Sequence, residues 1–308
     1  MRDRFTRDPA QAALYEALCG KTASERISEN NQGEQNVSME NRKTAPVGVF
    51  DSGVGGLTVA REISRQLPNE NIVYFGDTAR VPYGSKSQNT IIRFSEQIIR
   101  FLKTKGVKAI VIACNTASAL ALDAVRDEFD IPVMGVVIPG ARAAVEATKN
   151  RKVGVVGTDA TVQSGMYTKI IHEMAPDVKV IEKACPLFVP LVEEGFKEHV
   201  VTQEIIEYYL ESMRETDIDA MILGCTHYPL IRPVIDRLLQ SRVTLIDSGA
   251  QVARWAQTLL TREDMLGAGN GGAEYYVSDS PEMFIATAGI FLGEDVHGNV
   301  TQIDLDTL

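Results

Sequence analysis

The stretch AIVIACNTAS (residues 109–118) has a near twin in AMILGCTHYPL (220–230). Each opens on a short apolar run, of the length and character of a strand buried on both faces of a parallel sheet. Each then passes through a cysteine, Cys114 or Cys225, into small polar residues and a helix-like stretch. This sets two thiols at the carboxyl ends of two strands, where open α/β sheets hold their ligands. One thiol so placed suits a nucleophile. Two, in two halves of a chain, suit a base on each side of a substrate.

The flanking sequence carries the same rhythm outward. PVGVF (46–50) reads as a strand, GLTVAREISRQL (56–67) as a helix and NIVYFGD (71–77) as a strand. Ile91, Ile92, Phe94, Ile98, Ile99 and Leu102 then recur with a helical period. VKAIVIA (107–113), ASALALDAVRDEF (117–129) and IPVMGV (131–136) continue the alternation, which implies right-handed βαβ crossovers. KVGVVG (152–157) resembles the first strand, and the loop after each, DSGVGG or TDATVQSG, is rich in small residues. Val47 and Val153 are 106 positions apart (47 to 153), and the cysteines 111 (114 to 225). Two landmarks with nearly one offset indicate an internal duplication. The expected fold is α/β: two similar open parallel-sheet domains related by pseudo-two-fold symmetry, with the active site in the cleft between them. Residues 46–138 together with 248–308 form the first expected domain, and 139–247 the second. The helix AQVARWAQTLL and the strand EYYVS thereby return to the first.

Residues 1–45 read as a polar N-terminal extension, largely disordered, with a short helix over 8–20 and an alternative start at Met39. The net charge of −10 argues against a nucleic-acid partner. No run approaches the ~18 apolar residues of a membrane span. The four cysteines, Cys19, Cys114, Cys185 and Cys225, show no C-x-x-C spacing and no secretory leader. They read as reduced thiols in a cytoplasm.

Both Cys114 and Cys225 precede helix-like stretches, whose N-terminal amides lower a thiol pKa toward neutrality. An inert core cysteine is the competing reading for either thiol alone. A zinc site wants close ligand pairs, and Cys225 with His227 is the single such pair beside these two thiols, so no metal is expected. Asp51-Ser52-Gly53-Val54-Gly55-Gly56 suits a carboxylate or phosphate at exposed N–H groups, or else Asp51 caps the next helix. Tyr83 and Gly84 line the same cleft or form a turn. His227 can accept or polarise a proton near Cys225. His172, His199 and His297 read as solvent-facing, and Cys185 and Cys19 as structural or incidental.

FDSGVGGLTV, VPYG, ACNTAS and GCTHYPL, in this order, resemble the signature segments of the glutamate racemase family, over about residues 46–248. The resemblance implies a cofactor-independent isomerase interconverting L- and D-glutamate and supplying D-glutamate for bacterial peptidoglycan. Carried over, Cys114 takes the α-proton from D-glutamate and Cys225 from L-glutamate. Asp51 assists the first thiol, His227 the second, and Glu194 (or its neighbour Glu193) is a further acidic residue near Cys225. Asp51, Ser52, Tyr83, Gly84, Asn115, Thr116, Thr226 and His227 match substrate-contacting positions. The expected partner is the small substrate, with no membrane and with a homodimer as one assembly. An aspartate racemase of the same superfamily is the near rival. A non-catalytic amino-acid-binding protein on a duplicated scaffold is the distant one.

Overall fold

The computed structural model describes residues 39–267, 269–296 and 300–307. The helix expected over 8–20, Cys19 and His297 lie outside them. The polar extension was expected to be disordered to its end, yet Met39–Thr44 forms a short helix, α1. Its last turn has partners: Lys43 pairs with Asp264 at 2.7 Å, and the Lys43 carbonyl accepts from Lys108 Nζ at 3.2 Å.

The ten strands described form two sheets, parallel throughout. The first contains β1 (Val47–Asp51), β2 (Asn71–Gly76), β3 (Ala109–Ile112), β4 (Val133–Gly135), β9 (Gly272–Val277) and β10 (Val300–Gln302), in the order β10-β9-β2-β1-β3-β4. The second contains β5 (Lys152–Gly157), β6 (Lys179–Ala184), β7 (Ala220–Gly224) and β8 (Thr244–Asp247), in the order β6-β5-β7-β8. The run β2-β1-β3-β4 is thus repeated as β6-β5-β7-β8. The register repeats as well: Val47 pairs with Ala109, and Val153 with Ala220. Each cysteine follows its paired alanine by the same five positions, so the duplication seen in spacing is also one of hydrogen-bonded register.

Side chains on the central strands alternate between two apolar layers, as strand geometry demands. Val47, Val49, Ala109 and Val111 join one layer, and Phe50, Ile110 and Ile112 the other. Helices cover both faces: α2 (Leu57–Gln66) contributes to the first layer and α3 (Gln88–Thr104) to the second. The remaining helices are α4 (Asn115–Arg126), α5 (Val137–Ala147), α6 (Asp159–Gln163), α7 (Met166–Met174), α8 (Phe188–Glu193), α9 (Val200–Arg214), α10 (Arg232–Leu238), α11 (Ser248–Arg262) and α12 (Pro281–Leu292). Among the described residues, no helix is long and apolar enough to cross a membrane.

The two halves are stitched by polar contacts. Thr58 Oγ1 donates to the Thr226 carbonyl at 2.9 Å. Tyr167 Oη donates to Asn115 Oδ1 at 2.6 Å. At the opposite end of the first sheet from the cysteine, just ahead of β3, Lys108 and Glu70 form an ion pair whose side chains are 2% and 1% exposed. Lys108 also donates to the Met265 carbonyl at 2.8 Å, tying α1 and the segment after α11 to the sheet. Charges this deep are costly when unpartnered. Glu70→Gln is therefore expected to lower unfolding free energy by about 3 kcal/mol, and Glu70→Leu with Lys108→Met by less. Denaturant unfolding checks this; a double variant weaker than the single one contradicts it.

Candidate active site

The site begins where β1 ends. Asp51 is wholly buried, and its Oδ2 accepts the Gly53 N–H at 3.1 Å, while Oδ1 has no hydrogen-bond partner among the described residues. Burial raises the Asp51 carboxyl above its ordinary value, against the opposing charge of His227 and the N–H groups of Gly56, Gly53 and Ser52. The next turn runs very close to other groups. A Cβ at Gly55 would lie 2.3 Å from the His227 ring, and one at Gly56 2.3 Å from Asp51 Cβ. Only glycine lets this loop of the first sheet close onto the histidine of the second.

Cys114 is the N-cap of α4, and its Sγ accepts the Ala117 N–H at 3.4 Å. Its thiol also donates to Ser52 Oγ at 3.7 Å. The helix amides were expected to draw this thiol toward neutrality; the structure corrects that. Burial, reinforced by the negative charge of Asp51, outweighs the amides and pushes the Cys114 thiol up to about 12. Cys225 differs locally. It leads through Thr226 and His227 into a 3₁₀ turn, Tyr228–Ile231, and α10 starts only at Arg232. Its Sγ lies 3.8 Å from His227 Nδ1, and His227 Nε2 lies 2.9 Å from Glu193 Oε1. Burial alone favours the neutral ring, but the contacts with Cys225 and Glu193 overcome it and raise His227 to about 10. Phe291 packs its ring edgewise on the imidazole, centroids 5.1 Å apart.

A cavity of about 300 Å³ opens between the two sheets, with Cys114 and Cys225 both on its wall. Ser52, Tyr83, Gly84, Asn115, Thr116, Thr226 and His227 line it too. Asp51 does not: it sits behind the wall, beside Cys114. Glu194 does not either, and here the structure corrects the expectation. Glu194 is an exposed residue capping the six-residue α8, whereas Glu193, one position earlier on the helix, points to His227 and lines the cavity. Consecutive helical residues point about 100° apart, so only one of the pair can reach. His172 and His199 are exposed; Cys185 is fully buried away from the cavity, where burial raises its thiol to about 12.

Gly53, Val81, Pro82, Thr158, Val189 and Pro190 also line the cavity. Thr158 had a signal. It stands 106 positions after Ser52, the offset of Val47 and Val153, and so follows β5 as Ser52 follows β1. Its Oγ1 lies 2.9 Å from Thr116 Oγ1, across the cleft. Val189 and Pro190 belong to α8, the short helix that follows β6. Among the described lining residues there is no Lys or Arg. An anionic ligand would be met by N–H groups, hydroxyls and the raised histidine. No group of three His, Cys, Asp or Glu side chains among the described residues is placed to hold a metal ion.

Parallel α/β halves in the same strand order, with one thiol from each on a shared cavity, define a class of protein as well as a site. Residues 47–256 match the Asp/Glu/Hydantoin racemase family. A glutamate racemase from Geobacter metallireducens is 46% identical over 262 residues, covering 84% of this chain and 97% of that relative. The crystal structure of a Bacillus anthracis glutamate racemase superposes with a TM-score of 0.82 at 41% identity, covering 85% of this chain and 98% of that one. A Francisella tularensis glutamate racemase in complex with D-glutamate gives 0.80 at 39% identity, over 86% and 100% of the two chains. The chain belongs to the Asp/Glu/Hydantoin racemases, in their glutamate racemase branch.

The raised histidine makes a prediction about pH. A folded pKa near 10, against 6.5 for the free ring, means His227 contributes stability that is complete below 6.5 and lost as pH rises through about 10. NMR titration of the ring should find it protonated at pH 8, and Glu193→Gln should move its midpoint down. A midpoint that ignores Glu193→Gln contradicts the assignment.

Proposed function

We propose that this chain interconverts L- and D-glutamate without a cofactor, moving the α-proton between Cys114 and Cys225. The observation that carries the reading is the pair of thiols on one cavity, each five residues past an equivalent strand position. Inversion at carbon needs removal on one face and delivery on the other, and thiols reaching the cavity from opposite sheets suit both tasks.

The chemistry turns on the two environments. An amino-acid α-proton is much less acidic than any side-chain base, so the carbanion depends on fixed donors in a dry site. Ser52, Asn115, Thr116 and Thr226 bring hydroxyl, amide and N–H donors to the wall. Burial and the neighbouring Asp51 favour the protonated form of Cys114. The His227 cation, backed by Glu193, offers a positive partner to a thiolate at Cys225. From L-glutamate, Cys225 takes the α-proton and Cys114 delivers its own to the other face. The reverse turnover begins with the proton on Cys225. Asp51 acts on Cys114 from behind the wall and does not touch the substrate.

The proposal extends to D-glutamate supply for peptidoglycan, a cytoplasmic location and a homodimer. It also divides the chain into 46–138 with 248–308 around the first sheet and 139–247 around the second. The strands at 272–277 and 300–302 in the first sheet support that division.

Cys114→Ala and Cys225→Ala are each expected to lower kcat by about 10³ or more, since a positioned acid or base contributes ~10²–10⁴ and inversion needs both. Wild-type kcat/KM should favour L-glutamate over L-aspartate. Polarimetry decides both points: near-normal racemisation in either variant, or a preference for aspartate, contradicts the reading. Binding of glutamate with no optical change points instead to a binding protein.

A further inference from the structure

Behind the cavity wall a carboxylate gathers three side-chain donors that no step above employs. Asp77, just past β2, is wholly buried. Arg80 Nε donates to both of its oxygens, at 2.9 and 2.8 Å, Ser278 Oγ to Oδ1 at 2.8 Å, and Tyr83 Oη to Oδ2. The Asp77 N–H in turn donates to the Asp51 carbonyl at 3.0 Å, which anchors the loop to the end of β1. Arg80 is itself braced: Nη1 donates to Gln97 at 2.6 Å, and the guanidinium lies 4.0 Å above the Phe94 ring.

The consequence concerns Tyr83. It lines the cavity, yet it is 1% exposed and its phenol is committed to Asp77. What the Val81–Gly84 segment presents to the cavity is therefore its wall of backbone and ring, not a free hydroxyl. That wall also meets the other half of the molecule, since a Cβ at Gly84 would lie 3.2 Å from Thr158 Cβ. A segment of four residues, extended at Val81 and Pro82 before a single 3₁₀ turn from Tyr83, has few ways to hold such a line. The buried carboxylate supplies one, gripping the segment through Arg80 before it and Tyr83 within it.

We propose that Asp77 is a positioning residue for this racemase. By holding Tyr83 Oη and Arg80 it sets the Val81–Gly84 wall against which the substrate binds, without touching the substrate itself. The inference rests on the functional reading above. A wall that contacts the substrate equally in ground and transition states affects KM and leaves kcat alone. Damage to folding does the opposite, because a smaller active fraction lowers apparent kcat at constant KM.

Tyr83→Phe keeps the ring and removes only the hydroxyl, so it is the sharpest variant. It should raise KM for both glutamate enantiomers about tenfold, as expected for one hydrogen bond to a charged group, with kcat within about threefold. Asp77→Asn should move KM in the same direction, and the double variant should be no worse than Asp77→Asn alone. If Asp77→Asn does not fold, Tyr83→Phe carries the test by itself. Unchanged KM in Tyr83→Phe, with kcat either normal or reduced, overturns the proposal, as does simple additivity in the double variant. A wild-type enzyme inactive on glutamate sinks the functional reading and this inference together; a racemising wild type with an unmoved Tyr83→Phe sinks this inference alone.

Discussion

Parallel pairing of β1 with β3, and of β5 with β7, decides where everything reactive in this molecule stands. In each pair the ladder sets an alanine opposite the leading strand's first valine, and five residues later the strand has ended and a cysteine emerges. A slip of one residue in either ladder would turn that thiol to the opposite face. The small-residue loops after β1 and β5 emerge beside the cysteines for the same reason, and bring Ser52 and Thr158 to the cavity from equivalent positions. Apolar layers on both faces of each sheet hold the registers, so the site's geometry is a property of the two cores.

The backbone symmetry stops short of the chemistry. Cys114 has a helix N-terminus beneath it and a buried carboxylate beside it, and burial with Asp51 keeps the proton on the sulfur. Cys225 has a 3₁₀ turn in place of a helix start, and a histidine raised to about 10 within 3.8 Å. Both thiols are buried, but one has negative charge beside it and the other a cation with its counter-carboxylate. An enzyme whose two bases must hold opposite protonation states is served by such a difference. The halves also depend on one another: Gly55 and Phe291, from the first sheet's side, press on the imidazole that serves the second sheet's thiol.

Much of this could be read in advance because it rests on period and spacing. Short apolar runs ending in small polar residues mark buried parallel strands, and a common offset marks a duplication, so the paired parallel sheets and the place of both cysteines were legible. The same offset applied to Ser52 points to Thr158. Other features depend on quantities a sequence does not display. The choice between Glu193 and Glu194 hangs on the phase of a single short helix. Whether helix amides or burial govern Cys114 depends on how deeply the thiol is enclosed. Tyr83 lines the cavity, and its hydroxyl faces backward because Asp77, six residues earlier, is buried within its reach. The end of the N-terminal extension looked like featureless polar sequence, yet Lys43 finds Asp264 more than 200 residues away.

The central claim is that two different groups, on opposite faces of the substrate, remove and deliver the α-proton. Single-enantiomer turnover in D₂O tests it most directly, with mass and chirality of both pools followed at low conversion. The account predicts that product formed from L-glutamate carries deuterium at the α-carbon while the remaining L-glutamate stays unlabelled, and likewise starting from D-glutamate. Product that retains the substrate's original hydrogen would show one group serving both faces, and would contradict it.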